Sequence, residues 1–178
     1  MTIEPDTKDW TWVLERPCLE CGFVAGDVAV GELADAFHAN AADWATALAG
    51  ADVTVRPEPG VWSVLEYACH VRDVHRVFAE RVEMMLTEDA PRFANWDQDE
   101  TALAERYDRQ DPAVVAPELV AAAAAVADRY AAVPADAWDR PGVRSNGSEF
   151  TVESLGRYHL HDVVHHLHDV TGATRVAG

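Results

Sequence analysis

The chain has 178 residues, nearly half of them apolar, and a formal net charge of −17. That length suits one domain with a normal core, spanning 1–178, and the apolar content argues against global disorder. The acidity argues against a nucleic-acid surface, whose phosphates it would repel. The longest apolar run, Leu119–Ala127, is too short for a membrane span. The opening MTIEPDTKDW is acidic and polar and carries no secretory signal, so a cytoplasmic protein with no membrane partner is expected.

In chain order, an N-terminal extension over 1–26 comes first and holds Cys18-Leu19-Glu20-Cys21 in a loop between Pro17 and Gly22. With Cys69 as the remaining cysteine, the set makes no disulfide framework. A structural zinc site normally has two Cys-x-x-Cys halves, and a thioredoxin-type motif would follow a strand. The pair is therefore read as incidental thiols, with a metal site or redox chemistry as the less favoured readings.

The first helix is expected from about Asp27 to Leu48, where Leu33, Phe37, Ala41, Trp44 and Leu48 recur at three and four, and Gly50 ends it. Pro57, Pro59 and Gly60 then break the chain. The second helix starts near Trp62 with a capping-box pattern at Ser63 and Glu66 and runs to about Leu86. A short helix is read over Glu100–Tyr107. Asp111-Pro112 opens the third long helix, which Pro134 stops. The fourth begins near Thr151 and ends at Gly172. Four such helices predict an all-α, up-down-up-down four-helix bundle. Trp10, Trp12 and Trp96 fall in tails and loops, where they either mark contact with a second copy, a homodimer, or fold back over the bundle; the second reading is preferred.

Five of the eight histidines stand between Tyr158 and Val170. His161 and His165 are four apart, which stacks them on one helix face about 5–6 Å apart at Cβ and suits two imidazoles on one divalent ion. His70 is the candidate third ligand. In an up-down-up-down order the second and fourth helices run the same way, and the depths of His70 and His161, roughly 12 and 15 Å, put them at one level. His70 shares its face with Glu66 and Asp73. On the fourth helix, however, the apolar stripe is Val152, Leu160, Val163, Leu167 and Val170, and His161, His165 and His168 lie nearly opposite it, on a face that reads equally well as solvated. Asp162 and His166 form a second i,i+4 pair nearer the stripe's edge, and the helical wheel leaves the two pairs open.

The segments WSVLEYACHVRDVHRVFAERVEMML, Trp62–Leu86, and LGRYHLHDVVHHLHDV, Leu155–Val170, resemble the DinB/YfiT-like superfamily of metal-dependent enzymes, which includes bacillithiol and mycothiol S-transferases. Trp62, His70 and Asp73 meet its tryptophan-led H-x-x-D helix. The Leu155-Gly156-x-Tyr158 lead registers its H-x-x-x-H on His161 and His165. The resemblance implies a four-helix bundle holding Zn²⁺ or Ni²⁺ on His70, His161 and His165, with a low-molecular-weight thiol such as mycothiol as co-substrate. Three imidazoles leave a position open for water or substrate, as catalytic sites do. Glu66 or Asp73 would orient His70 or act as base, and Tyr158, Arg157 and His168 would contact a small-molecule substrate. Arg72, Arg144 and Arg157 are candidate contacts for the thiol. Metal-assisted hydrolysis and a non-catalytic, metal-binding stress-response module are the alternatives.

Overall fold

The computed structural model describes residues 9–172; the first eight residues of the expected N-terminal extension lie outside them. The expected long helices form. Helix α1, Leu33–Leu48, buries the periodic set Leu33, Phe37, Ala41, Trp44 and Leu48. It begins later than the pattern suggests, because Ala25–Asp27 and Val30–Glu32 are each a single 3-10 turn. Helix α2, Val64–Thr87, starts at the reciprocal box: Glu66 N–H donates to Ser63 Oγ at 3.2 Å and Ser63 N–H to Glu66 Oε2 at 2.8 Å. After the short strand β1, Arg92–Phe93, and the short helix α3, Gln98–Ala104, helix α4 spans Pro112–Ala131, with the Asp111 carboxylate accepting from Ala113 N–H. Strands β2, Pro141–Arg144, and β3, Glu149–Thr151, lead into α5, Val152–Thr171, which Thr151 caps and Gly172 ends in the left-handed region.

Helices α1 and α2 each pack on both α4 and α5, so they face one another across a diagonal of the bundle. The bundle itself is as expected, but its directions correct the up-down-up-down order. Arg72 pairs with Glu118 and Glu83 with Arg129, so α2 and α4 run parallel. His70 meets Asp162, His75 meets His159 and Phe78 stacks on Tyr158, so α2 and α5 run antiparallel. Phe37 packs on His159, and Asn40 and Trp44 both donate to the Val163 carbonyl, so α1 and α5 are parallel. The order is up-down-down-up. Its physical cause is the connection between Thr87 and Pro112. That stretch is long enough to retrace the roughly 36 Å of α2, at about 3.3 Å per extended residue, before α4 sets off.

The retracing stretch also carries β1, which joins the two strands between α4 and α5 in one small sheet. Strand β1 pairs in parallel with β2, and β2 antiparallel with β3, with Arg92 opposite Val143 and Gly142 opposite Phe150. Gly142 is where this sheet presses on α2: a Cβ there would lie 2.7 Å from Met85 Cγ and 2.9 Å from Phe93 Cε1. At the other side, the N-terminal segment from Asp9 to Val28 lies along α5. The Arg157 guanidinium donates to the Val28 carbonyl at 3.0 Å, and Trp10 packs on His161 and His165. Trp10, Trp12 and Trp96 are all partly buried against the core, folded back as preferred. Among the described residues no helix is long and apolar enough to cross a membrane.

A polar pair sits in the middle of the core. His75 Nδ1 lies 3.0 Å from His159 Nε2, and the Tyr130 hydroxyl lies 3.4 Å from His159 Nδ1. Burial pushes His75 down to about 3 and His159 well below its ordinary value, so both are neutral at pH 7. An imidazole whose folded pKa is depressed takes up its proton on unfolding. The pair therefore leaves stability unchanged above about pH 6.5 and lowers it as pH falls toward about 3, by about 1.4 kcal/mol per unit for each group. Urea unfolding is expected to show that loss between about pH 7 and about pH 5, with a shallower slope in His75→Gln/His159→Gln. A slope equal to wild type in the double variant would assign the acid sensitivity elsewhere.

Candidate metal centre

Antiparallel packing of α2 and α5 brings residue 70, near the start of α2, level with residues 162–166, near the end of α5. On α5 each residue advances by about 100°, so the pairs 161/165 and 162/166 point in different directions. Asp162 and His166 turn toward α2. Asp162 Oδ1 is 3.5 Å from His70 Nε2 and 3.7 Å from His166 Nε2. These separations exceed a good hydrogen bond, and both His70 nitrogens and Asp162 Oδ1 are buried without a hydrogen-bond partner. Buried polar atoms are normally paired, and leaving them unpaired costs about 1–3 kcal/mol each. Converging nitrogens and a carboxylate oxygen at this spacing fit ligands around a divalent ion.

The surroundings hold that arrangement. His166 Nδ1 lies 3.0 Å from Asp169 Oδ2, which turns Nε2 toward Asp162, the usual role of a carboxylate behind a metal-binding histidine. Trp96 stacks on His70 at 5.4 Å with its plane 7° away, Trp62 lies at 5.5 Å, and Tyr67 packs on His166 at 5.2 Å. Burial lowers the His70 pKa, leaving the imidazole in its neutral, ligating form. Burial alone would raise the Asp162 carboxyl, but His70, His166 and His159 around it hold it well below the ordinary carboxylate range. Asp162 and His166, together with His161 and His165, line a cleft of about 670 Å³ whose walls include Trp10, Trp62, Tyr67, Trp96, Arg144 and Tyr158, and His70 lies behind that lining.

The structure divides the expected ligand trio. His70 is grouped with Asp162 and His166, the alternative pair, whereas His161 and His165 are grouped with Cys18 and Cys21 of the N-terminal segment. Tyr158 lines the cleft as expected, and so does Arg144. Arg157 is engaged with Glu153 and the Val28 carbonyl, and neither it nor His168 lines the cleft. Arg72 is buried between Asp73 and Glu118. The two expected acid–base residues are occupied structurally. Glu66 takes the Arg56 guanidinium and caps α2. Asp73 accepts from Arg72 at 2.9 Å, Arg76 at 2.9 Å and the Tyr107 hydroxyl at 2.5 Å. Burial would raise both carboxyls, yet these donors keep them below their ordinary pKa. Asp169, Trp96 and the loop residues Asn95 and Asn146 are cleft residues that the sequence did not single out for the site. The i,i+3 spacing of His166 and Asp169 was the available signal for the first; the others reach the cleft only through the retracing connection and the turn after β2.

Residues 33–170 match the family model of the DinB superfamily. Among solved structures, YfiT from Bacillus subtilis, described as a probable metal-dependent hydrolase with an unusual four-helix bundle topology, is similar with a TM-score of 0.73. It is 19% identical over 80% of this chain and 84% of that one, a likeness of fold. No match was found among curated proteins.

The placement of Asp73 separates a structural role from a chemical one. Asp73→Ala strands the buried Arg72 charge and is expected to cost about 3 kcal/mol or more in denaturant unfolding, with the metal content of the folded protein unchanged. Loss of metal at unchanged stability would return Asp73 to the site.

Proposed function

The chain belongs to the DinB superfamily, and on that footing we propose that it is a metal-dependent enzyme whose divalent ion is held by His70, Asp162 and His166. The observation that carries this reading is the buried, unpaired set His70 Nδ1, His70 Nε2 and Asp162 Oδ1, of which Asp162 lines the cleft. Two imidazoles and a carboxylate are a donor set for zinc or nickel, and three protein ligands leave room for an exchangeable one. Bound there, the ion supplies Lewis acidity that brings a water or thiol toward ionisation near neutral pH.

The chain's own residues then favour a thiol as the nucleophile. Water starts from a pKa of about 15.7 and a thiol from about 8.5, so a thiol demands far less of a general base. The expected bases, Glu66 and Asp73, are both tied into ion pairs. Trp10, Trp62 and Trp96 offer flat apolar walls and Asn95 and Asn146 offer amide groups, a lining that suits a neutral, sugar-bearing thiol such as mycothiol. The acidic rim of Asp9, Glu20, Asp97 and Asp99 disfavours a polyanionic one. The reaction is S-transfer: sulfur forms a bond to an electrophilic carbon, the leaving group departs with the bonding pair, and the thiol proton passes to solvent. Arg144 is the cleft's cation for a leaving anion or an electrophile's carboxylate. Hydrolysis is the second reading, favoured by the description of YfiT as a probable metal-dependent hydrolase.

His70→Ala and Asp162→Ala are expected to remove one equivalent of metal and the metal-dependent conjugation of an electrophile with mycothiol. Asp169→Asn, which loosens His166 most directly, is expected to weaken that metal by about 10–100-fold. A wild-type conjugation rate no faster than mycothiol alone, with metal-dependent cleavage of ester or amide substrates, would favour hydrolysis. Equal metal content in wild type and both alanine variants would overturn the site.

A further inference from the structure

We propose that Cys18, Cys21, His161 and His165 form a second metal site, a closed four-ligand zinc centre that fastens the N-terminal segment to α5. It shares no ligand with the cleft site. The C-x-x-C and H-x-x-x-H spacings are those of a Cys₂His₂ centre, supplied here by a loop and by a helix far apart in the chain. The ligand atoms all lie within 4.8 Å of one another, and Cys18 Sγ is 3.6 Å from His165 Nδ1. A tetrahedron with Zn–S near 2.3 Å and Zn–N near 2.0 Å has edges of about 3.3–3.8 Å, so the four atoms need close by only about 1.5 Å at most.

Three further observations point to a ligand. All four side chains are buried, and His161 Nε2 has no hydrogen-bond partner. The loop is folded as a knuckle. Cys18 N–H donates to the Phe23 carbonyl at 2.9 Å, Gly22 N–H donates to the Cys18 carbonyl at 2.9 Å, and Gly22 takes φ +77°, a left-handed value suited to glycine. Neither thiol is engaged in a disulfide. Finally, His165 Nε2 faces Glu20 Oε2 at 3.5 Å and Asp169 Oδ1 at 3.7 Å, leaving Nδ1 for the metal, the arrangement of a histidine oriented from behind by carboxylate.

The donor set selects the metal and the role. Two thiolates favour zinc over magnesium or manganese, and four protein ligands leave no position for substrate. The centre is therefore structural. What it holds in place is the wall of the cleft: Trp10, at 4.9 Å from His165 and 5.7 Å from His161, reaches the cleft from the fastened segment.

Protein purified under reducing conditions with zinc is expected to carry two equivalents per chain. Cys18→Ser/Cys21→Ser is expected to keep one, and His70→Ala/Asp162→Ala to keep the other. Cobalt-loaded wild type should show thiolate-to-cobalt charge transfer and the intense visible bands of a tetrahedral ion, retained in His70→Ala/Asp162→Ala and absent from the cysteine variant. Zinc content equal in wild type and the folded cysteine variant, or no thiolate charge transfer in cobalt-loaded wild type, would overturn the proposal. The wild-type spectrum decides even where the cysteine variant fails to fold. Failure of the cleft site reads out separately, as a His70→Ala/Asp162→Ala variant with wild-type zinc content.

Discussion

The rest of this structure depends on how the polar atoms buried along α5 are satisfied. The helix lies against α1 and α2 and is covered by the N-terminal segment, so its imidazoles and carboxylate cannot all turn to water. A buried polar group without a partner is costly, so each must find protein, water or ion. The three polar groupings on α5 answer this differently. His159 is satisfied by His75 and Tyr130. Asp162 and His166 converge on His70, where Asp162 Oδ1 and both His70 nitrogens lack a hydrogen-bond partner, and His161 and His165 converge on two thiols. The first is structure; the other two have the form of sites.

The connection between α2 and α4 makes the cleft possible. By retracing α2 it lets α4 start beside α2's own start, with Tyr107 anchored on Asp73 and Trp96 laid on His70. A short hairpin between α2 and α4 would have put them antiparallel and left the His70 end of the bundle uncovered. The locked carboxylates follow from the same path. Asp73 is the point where this connection, Arg72 and α4 are joined, since Arg72 also reaches Glu118. An acid that holds three donors in place is poorly suited to moving a proton.

Much of the architecture was legible in the chain. Ser63 with Glu66, Asp111 with Pro112, and Thr151 marked helix starts because capping is a local interaction. The helix directions were not legible, since they depend on the path of a long connection rather than on any periodic pattern. Strands of two to four residues, such as Arg92–Phe93, are too short for an alternating pattern to register. The ligand pairs were half legible. The wheel placed His161 and His165 opposite the apolar stripe and Asp162 and His166 at its edge, and that geometry is correct. The wheel left the choice of pair open and the Leu155-Gly156-x-Tyr158 lead directed it to His161 and His165, whereas in the structure the N-terminal segment covers that face and Asp162 faces His70.

Two i,i+4 pairs interleaved by one residue explain how a single helix can serve two centres. A shift of one position rotates a pair by about 100°, enough to direct 162/166 at α2 and 161/165 at the Cys18–Cys21 loop without a shared ligand. The two sets also differ in hardness: the carboxylate-containing set keeps an exchangeable position, and the thiolate-containing set is closed. Asp169 lies behind both, against His166 Nδ1 and His165 Nε2. It couples the orientation of the two pairs, so the loop that carries Trp10 and the floor of the cleft are set by one carboxylate on the last turn of α5.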